Sequence, residues 1–154
     1  QMGTLSKALA SQGGFIAGSH PLIDTLRNKA RSFIYTTGLS PANAAAALEA
    51  IRVLQEEPAL LKALWQRQKQ WSGGLKSSGL SLVSSETPIV PVLFKETGRT
   101  MEVARALLSS GIFAPGIRPP TVPEGESRIR TTVMATHKAE ELDEALGQLT
   151  KVAK

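Results

Sequence analysis

The sequence contains no cysteine, and aromatic residues make up only 5% of its 154 residues. The absence of cysteine excludes disulfide bonds, cysteine-ligated zinc and catalysis by a thiolate. The chain also lacks an apolar run as long as the roughly 20 residues that cross a bilayer, and no signal-peptide pattern opens it. These absences favour a cytoplasmic domain with no membrane partner, and no metal site is expected.

The charge of the chain is basic but evenly distributed. Lys and Arg number 18 against 13 Asp and Glu, which gives a net charge of +5. A basic protein can bind nucleic acid, but here the basic residues are dispersed and no recognition motif occurs. We therefore expect no nucleic-acid partner and interpret the charge as a solvated surface that attracts anionic substrates.

Helix and strand signals both occur along the chain, which predicts an α/β fold. Three proline-containing starts predict helices, at His20-Pro21, Ser40-Pro41 and Pro58. The third of these helices is expected to end at 72–74, where Ser-Gly-Gly follows its apolar stripe. The apolar run 33–35 is too short to predict a helix.

The second part of the chain combines short strands with two helices. Residues 89–94 predict a strand, 112–114 a second short strand, and 128–134 a third, because apolar and polar residues alternate there. Thr100 and Thr136 are expected to cap the two helices. The pattern predicts a small α+β domain.

Lys7 lies in a segment of small residues, Gly3-Thr4-Leu5-Ser6-Lys7-Ala8-Leu9, and Gly-Gly-Phe-Ile-Ala-Gly follows at 13–18. Glycine and alanine leave room for a planar group against the backbone, and the hydroxyls of Thr4 and Ser6 suit an anion such as phosphate. A lysine held beside apolar and cationic groups can act as nucleophile and base in Schiff-base chemistry. Taken alone, the segment is also compatible with an ordinary solvated lysine.

A second segment, 116–125, reads Gly-Ile-Arg-Pro-Pro-Thr-Val-Pro-Glu-Gly and is followed by Arg128 and Arg130. Its three prolines predict a stiff extended loop. Arginines at both ends suit a carboxylate, because the guanidinium group binds it through two hydrogen bonds. Strand alternation places Arg128 and Arg130 on one face, so periodicity does not say which of them binds. A proline-braced turn with solvated arginines is the alternative.

Together these segments resemble the α-oxoamine synthases, pyridoxal-phosphate (PLP) enzymes that condense an amino acid with an acyl thioester and release carbon dioxide. The lysine segment and its glycine run are similar to the family's lysine loop. Residues 31–37, Arg-Ser-Phe-Ile-Tyr-Thr-Thr, followed by Leu39-Ser40-Pro41, are similar to a second family block. The block 117–123, Ile-Arg-Pro-Pro-Thr-Val-Pro, most resembles members that use L-alanine and a pimeloyl thioester, on coenzyme A or a carrier protein, in biotin biosynthesis.

The resemblance implies the aspartate aminotransferase-like fold of PLP-dependent transferases, known as fold type I. Residues 1–50 would be the C-terminal part of the large PLP-binding domain, and 51–154 the small C-terminal α+β domain. Because members of the family are far longer, the chain is interpreted as the C-terminal portion of a larger homodimeric enzyme. The half that stacks a ring on the cofactor, and supplies an aspartate to its pyridine nitrogen, is not in this sequence.

The resemblance also implies roles for residues near the cofactor. Lys7 would be the Schiff-base lysine and general base. Thr4 would lie beside the cofactor phosphate. Thr36 would reach the phosphate of the neighbouring subunit, although a purely structural role at the end of a strand is an equal alternative for it.

For the substrates, the resemblance assigns Arg130 to the amino-acid carboxylate, Arg118 to a second carboxylate contact and Thr121 to the acyl substrate. Two other interpretations stay open. The chain could belong to another α-oxoamine synthase with a different amino acid and thioester, or it could be a non-catalytic fragment or dimerising module as it stands.

Overall fold

The computed structural model describes residues 1–83 and 86–154. The chain divides into two compact units, Gln1–Pro58 and Ala59–Lys154. The predicted mixture of helices and strands is confirmed, whereas the predicted domains 1–50 and 51–154 stay a prediction. Within the described ranges, no helix is long and apolar enough to cross a membrane.

The first unit opens with two short antiparallel strands, in which Gly3 pairs with Phe15. Three helices follow them. The elements are β1 (Met2–Thr4), β2 (Gly14–Ile16), α1 (His20–Lys29), α2 (Arg31–Ile34) and α3 (Pro41–Glu56).

The predicted helix starts in this unit are confirmed by local hydrogen bonding. Pro21 occupies the first turn of α1, where its missing N–H costs nothing. Ser40 caps α3, and its hydroxyl accepts a hydrogen bond from the backbone N–H of Asn43 at 3.3 Å. Leu5 and Ala47 are the buried apolar side chains among the described residues of this unit.

The run 33–35 was expected to be too short for a helix, and this expectation is wrong. Helix α2 is a single turn, closed by the N–H of Tyr35, which donates to the carbonyl of Arg31 at 3.1 Å. The guanidinium of Arg31 also lies 5.6 Å from the ring centroid of Tyr35. Run length cannot reveal a one-turn helix, because its stability comes from such local contacts.

The second unit contains a three-stranded antiparallel sheet with three helices. The strand order is β3-β5-β4, with Val92 opposite Ile129 and Ile117 opposite Arg128. The elements are α4 (Pro58–Ser77), β3 (Ile89–Lys95), α5 (Thr97–Ser109), β4 (Gly116–Ile117), β5 (Ser127–Thr132) and α6 (Ala139–Ala153).

The hydrophobic core of this unit lies between one face of the sheet and the helices α4, α5 and α6. Its most deeply buried apolar side chains are Leu75, Val92, Val103, Leu107, Ile129 and Leu149. Along β5 the predicted alternation is confirmed, because Ser127, Ile129 and Thr131 are buried and Arg130 is exposed. The polar face of β5 is therefore available for binding.

Helix α4 does not end at 72–74 as predicted but continues to Ser77. The glycines are accommodated because one of them has a packing role: a Cβ at Gly74 would overlap Cδ2 of Leu146 in α6. Close helix packing has therefore overridden the usual helix-ending effect of glycine. Trp71, on the same helix, is 95% shielded from solvent, as expected for a core residue.

The predicted caps of the last two helices, Thr100 and Thr136, are wrong. Helix α5 begins at Thr97 after Glu96, and Thr100 is buried inside its first turn, where its hydroxyl donates to the Glu96 carbonyl at 2.8 Å. Helix α6 is capped at Lys138 rather than Thr136, and the Lys138 N–H donates to Glu141 at 2.9 Å. The hydroxyl of Thr100 thus bonds within its own helix instead of capping it.

The second short strand lies at Gly116–Ile117 rather than at 112–114. Ala114 is apolar because it packs into the core, where it is 7% exposed, and not because it belongs to a strand. The backbone beside it still approaches β5, since the carbonyl of Pro115 accepts from the N–H of Arg130 at 2.9 Å.

Candidate active site

Lys7 lies in a tight turn between β1 and β2. Leu5 is buried and anchors the turn, its N–H donating to the Gly13 carbonyl and its carbonyl accepting from Ser11, each at 2.9 Å. The turn itself closes where the N–H of Ala10 donates to the Lys7 carbonyl at 2.9 Å. The backbone of Lys7 is therefore fixed by its neighbours.

Two hydroxyl groups lie at the base of this turn. Oγ1 of Thr4 and Oγ of Ser6 are 2.7 Å apart, and the Ser6 N–H donates to Thr4 Oγ1 at 3.2 Å. The structure thus brings Thr4, Ser6 and Lys7 together in one turn. The arrangement offers hydroxyl donors and an amine within a few residues, which suits a phosphate-bearing ligand.

The side chain of Lys7 is exposed and makes no hydrogen bond or ion pair with any residue that the structure describes. The first unit does contain a cavity of about 620 Å³, but Gly3, Phe15 and Phe33 are among its lining residues and Lys7 is not.

Thr36 follows helix α2, and its hydroxyl donates to the Ser32 carbonyl at 2.6 Å. The alternative that Thr36 ends a strand is wrong, since a helix precedes it. Thr36 is exposed. A phosphate accepts hydrogen bonds, so Thr36 could bind one only by turning its proton away from Ser32.

The proline-rich segment is compact rather than extended as predicted. Thr121 donates its N–H to the carbonyl of Arg118 at 3.0 Å, around a cis bond between Pro119 and Pro120. A second turn follows, with Gly125 at a φ of 76°. The turns bring Arg118 and Thr121, both exposed, to adjacent positions, whereas an extended loop would separate them.

Arg128 and Arg130 differ in a way that periodicity could not show. The guanidinium of Arg128 is paired: Nη2 lies 2.6 Å from Glu126 Oε2, and Nε donates to the Glu126 carbonyl at 2.8 Å. The guanidinium of Arg130 has no partner among the described residues and is exposed. Arg130 also lines a mostly apolar cavity of about 600 Å³. Arg130 is therefore the arginine of this strand that is free to bind a carboxylate.

Glu126 was missed by the sequence analysis. In extended backbone, side chains two residues apart project to the same side. Glu126 and Arg128 are therefore close enough for their side chains to pair. The spacing of an acidic and a basic residue two positions apart was the signal in the sequence that could have identified this pair.

Comparison with known proteins now defines the class. The chain matches the family model described as aminotransferase class I and II over residues 1–149, and it belongs to that family. It is 47% identical over 154 residues to a Bacillus subtilis protein named 8-amino-7-oxononanoate synthase 1. That match covers 100% of the chain and 39% of the relative, so the chain spans about two fifths of the length of this curated relative.

Solved structures agree with the predicted fold. Serine palmitoyltransferase (SPT) from Sphingomonas wittichii is 27% identical, with a TM-score of 0.90 over 98% of this chain and 38% of that one. A structure described as SPT with PLP is 29% identical, with a TM-score of 0.91 over the same shares. The predicted resemblance to the α-oxoamine synthases and the fold type I architecture are confirmed.

Proposed function

We propose that the chain is part of an 8-amino-7-oxononanoate synthase, which condenses L-alanine with a pimeloyl thioester and releases carbon dioxide. The observation that carries the proposal is the 47% identity, over all 154 residues, with the Bacillus subtilis protein of that name. Because this chain spans 39% of that relative, the activity is proposed for the longer enzyme and not for these residues alone.

The cofactor proposed for this enzyme is PLP, which is present in a structure 29% identical to this chain. The residues of the lysine turn fit such a group, because Lys7 offers an amine without a partner among the described residues and Thr4 and Ser6 offer paired hydroxyls. When bound, PLP supplies an electron sink for the carbon that loses a proton and for the bond that releases carbon dioxide.

Lys7 has two proposed tasks. Its Nζ would hold the cofactor. Once the amino group of alanine has displaced it, the freed amine would accept the Cα proton of alanine and later return a proton to the product, as a general base and acid. The fixed backbone of the Leu5–Ala10 turn supports both tasks, since it limits where Nζ can move. The hydroxyl of Thr4 would donate a hydrogen bond to the cofactor phosphate.

The arginines would bind the acid groups of the substrates. Arg130 is proposed to hold the carboxylate of alanine, because its guanidinium is the free one on β5. Two parallel N–H···O bonds would then fix the orientation of the amino acid. Arg118 is proposed as a second carboxylate contact and Thr121, in the same turn, as a contact to the acyl substrate.

The enzyme is proposed to work as a homodimer, with Thr36 of one subunit donating to the cofactor phosphate of the other. The exposed position of Thr36 after α2 supports this proposal, since its hydroxyl is accessible to a second subunit. The hydrogen bond from Thr36 to the Ser32 carbonyl would then be replaced by one to the phosphate.

Another α-oxoamine synthase activity, like that of serine palmitoyltransferase or 2-amino-3-ketobutyrate CoA ligase, is the second candidate. The TM-score of 0.91 with SPT favours it, but the identity of 29% is well below the 47% shared with the oxononanoate synthase. A non-catalytic or dimerising module is the remaining alternative.

A hybrid enzyme tests the proposal. In it, this chain replaces the matching 39% of the Bacillus subtilis relative. We expect the hybrid to form product from L-alanine and pimeloyl-CoA, and much less from L-serine with palmitoyl-CoA or glycine with acetyl-CoA. The unmodified relative is the positive control and the Lys7→Ala hybrid the negative one. A folded hybrid that prefers another pair of substrates, or has no activity, would contradict the proposal.

A further inference from the structure

The polar face of β5 carries two arginines, of which only one is free. Arg128 and Arg130 are two residues apart in the strand, so their Cα atoms lie about 6.7 Å from each other. The side chain of Arg128 is only 16% exposed and is held by Glu126, whereas Arg130 is exposed and has no side-chain partner among the described residues. Two guanidinium groups on one face of a strand could, if both were free, bind a ligand with two carboxylates.

Glu126 holds Arg128 at two points. Its carboxylate pairs with Nη2 at 2.6 Å, and its backbone carbonyl accepts from Nε at 2.8 Å. The first bond is short and charge-assisted, which makes it stronger than a neutral hydrogen bond. Glu126 therefore neutralises the charge of Arg128 and occupies two of its nitrogens, Nη2 and Nε.

We propose that Glu126 is a specificity-determining residue that acts by positioning Arg128, so that this face of the sheet binds one carboxylate and not two. This inference rests on the proposed function for its consequence, which is selection of a monocarboxylic amino acid such as alanine over a dicarboxylic one. An acid with a second carboxylate would find the Arg128 guanidinium already paired, and the negative charge of Glu126 would repel it.

The chain offers a matched control two residues away. Glu124 is exposed in the same loop and makes no hydrogen bond or ion pair with the described residues. Removing its side chain changes the net charge by the same amount as removing that of Glu126. Any effect of general charge is therefore shared by both variants, and an effect through Arg128 belongs to Glu126 alone.

The test measures binding of two probe anions, propionate and succinate, to this chain at constant ionic strength. The signals observed are the Nε–Hε resonances of Arg128 and Arg130 in ¹⁵N NMR spectra, assigned with Arg→Lys variants. In the unmodified chain, both anions should shift the Arg130 signal and leave that of Arg128 in place. In Glu126→Ala, succinate should also shift Arg128, and its affinity relative to propionate should rise about fivefold.

Two further variants complete the test. Glu126→Asp keeps the charge and should restore the original preference, and Glu124→Ala should not change it. An unchanged ratio of succinate to propionate affinity in Glu126→Ala, or an equal change in Glu124→Ala, would overturn the inference. Because the readout is binding to the chain itself, absence of synthase activity in the hybrid enzyme would not alter this result.

Discussion

The indole Nε1 of Trp71 donates a hydrogen bond of 2.7 Å to Oγ1 of Thr131, and both groups are buried. Oγ1 of Thr131 in turn donates to the backbone carbonyl of Val90. The contact joins helix α4 to β5 and, through Val90, to β3. One hydroxyl therefore pairs the buried indole N–H and also ties it to the backbone of β3.

Thr131→Val tests this contact, because valine has nearly the same shape as threonine but no hydroxyl. The buried indole N–H would lose its partner, so we expect the free energy of unfolding to fall by about 1–3 kcal/mol. Chemical denaturation followed by tryptophan fluorescence measures the loss. Thr132→Val, at the exposed neighbouring position, should change stability by less than about 0.5 kcal/mol; equal effects would show that the hydrogen bond is not responsible.

Adjacent glycines in helix α4 provide a second test. Gly73 has open space where a Cβ would be, so Gly73→Ala should stabilise the chain by about 0.5–1 kcal/mol through higher helix propensity. At Gly74 a Cβ would overlap Leu146, so Gly74→Ala should be less stable than Gly73→Ala by about 1–3 kcal/mol. Thermal unfolding of both variants gives the difference, and similar stabilities would contradict the packing role of Gly74.

The Ser40 cap allows a local test in the first unit. Ser40→Ala removes the acceptor for the Asn43 N–H and should destabilise helix α3 by about 1 kcal/mol. Amide hydrogen exchange within 41–56 should then become about fivefold faster. Ser40→Asp retains an acceptor and should exchange at nearly the original rate. Equally fast exchange in both variants would mean that the cap does not support the helix.

The pairing of Arg128 predicts different kinetic effects for the two arginines of β5. In the hybrid enzyme, Arg130→Lys cannot form the bidentate hydrogen bonds of a guanidinium to a carboxylate, so we expect the KM for alanine to rise at least about tenfold. Arg128→Lys should change that KM by less than about threefold, because Glu126 already occupies its guanidinium. Steady-state kinetics with varied alanine separate the two, and a larger effect at Arg128 would reverse the assignment.

Much of the fold could be predicted because it follows local rules. Proline at the start of α1, α3 and α4, and strict alternation along β5, identify these elements without knowledge of the tertiary structure. Two of the wrong predictions, at Gly74 and Thr100, came from residues that are packed against other elements. Gly74 continues a helix because Leu146 fills the space beside it, and Thr100 is buried inside a helix rather than capping one.

The candidate site follows the same division. The composition of the lysine segment pointed to Lys7 and its neighbouring hydroxyls, and the structure places them in one turn. The choice between Arg128 and Arg130 depended on a side-chain contact with Glu126, which strand periodicity cannot provide. Compaction of the proline-rich segment into turns also depended on backbone hydrogen bonds that composition does not specify.

The central claim is that Lys7 attaches PLP, and covalent trapping tests it most directly. The hybrid enzyme is incubated with PLP, reduced with borohydride and digested, and the modified peptide is identified by mass spectrometry. We predict that the phosphopyridoxyl group is found on Lys7, that Lys7→Ala abolishes the modification, and that Lys29→Ala, which removes another exposed lysine of the first unit, leaves it unchanged. Modification of a different lysine, or none in a folded hybrid, would contradict the account.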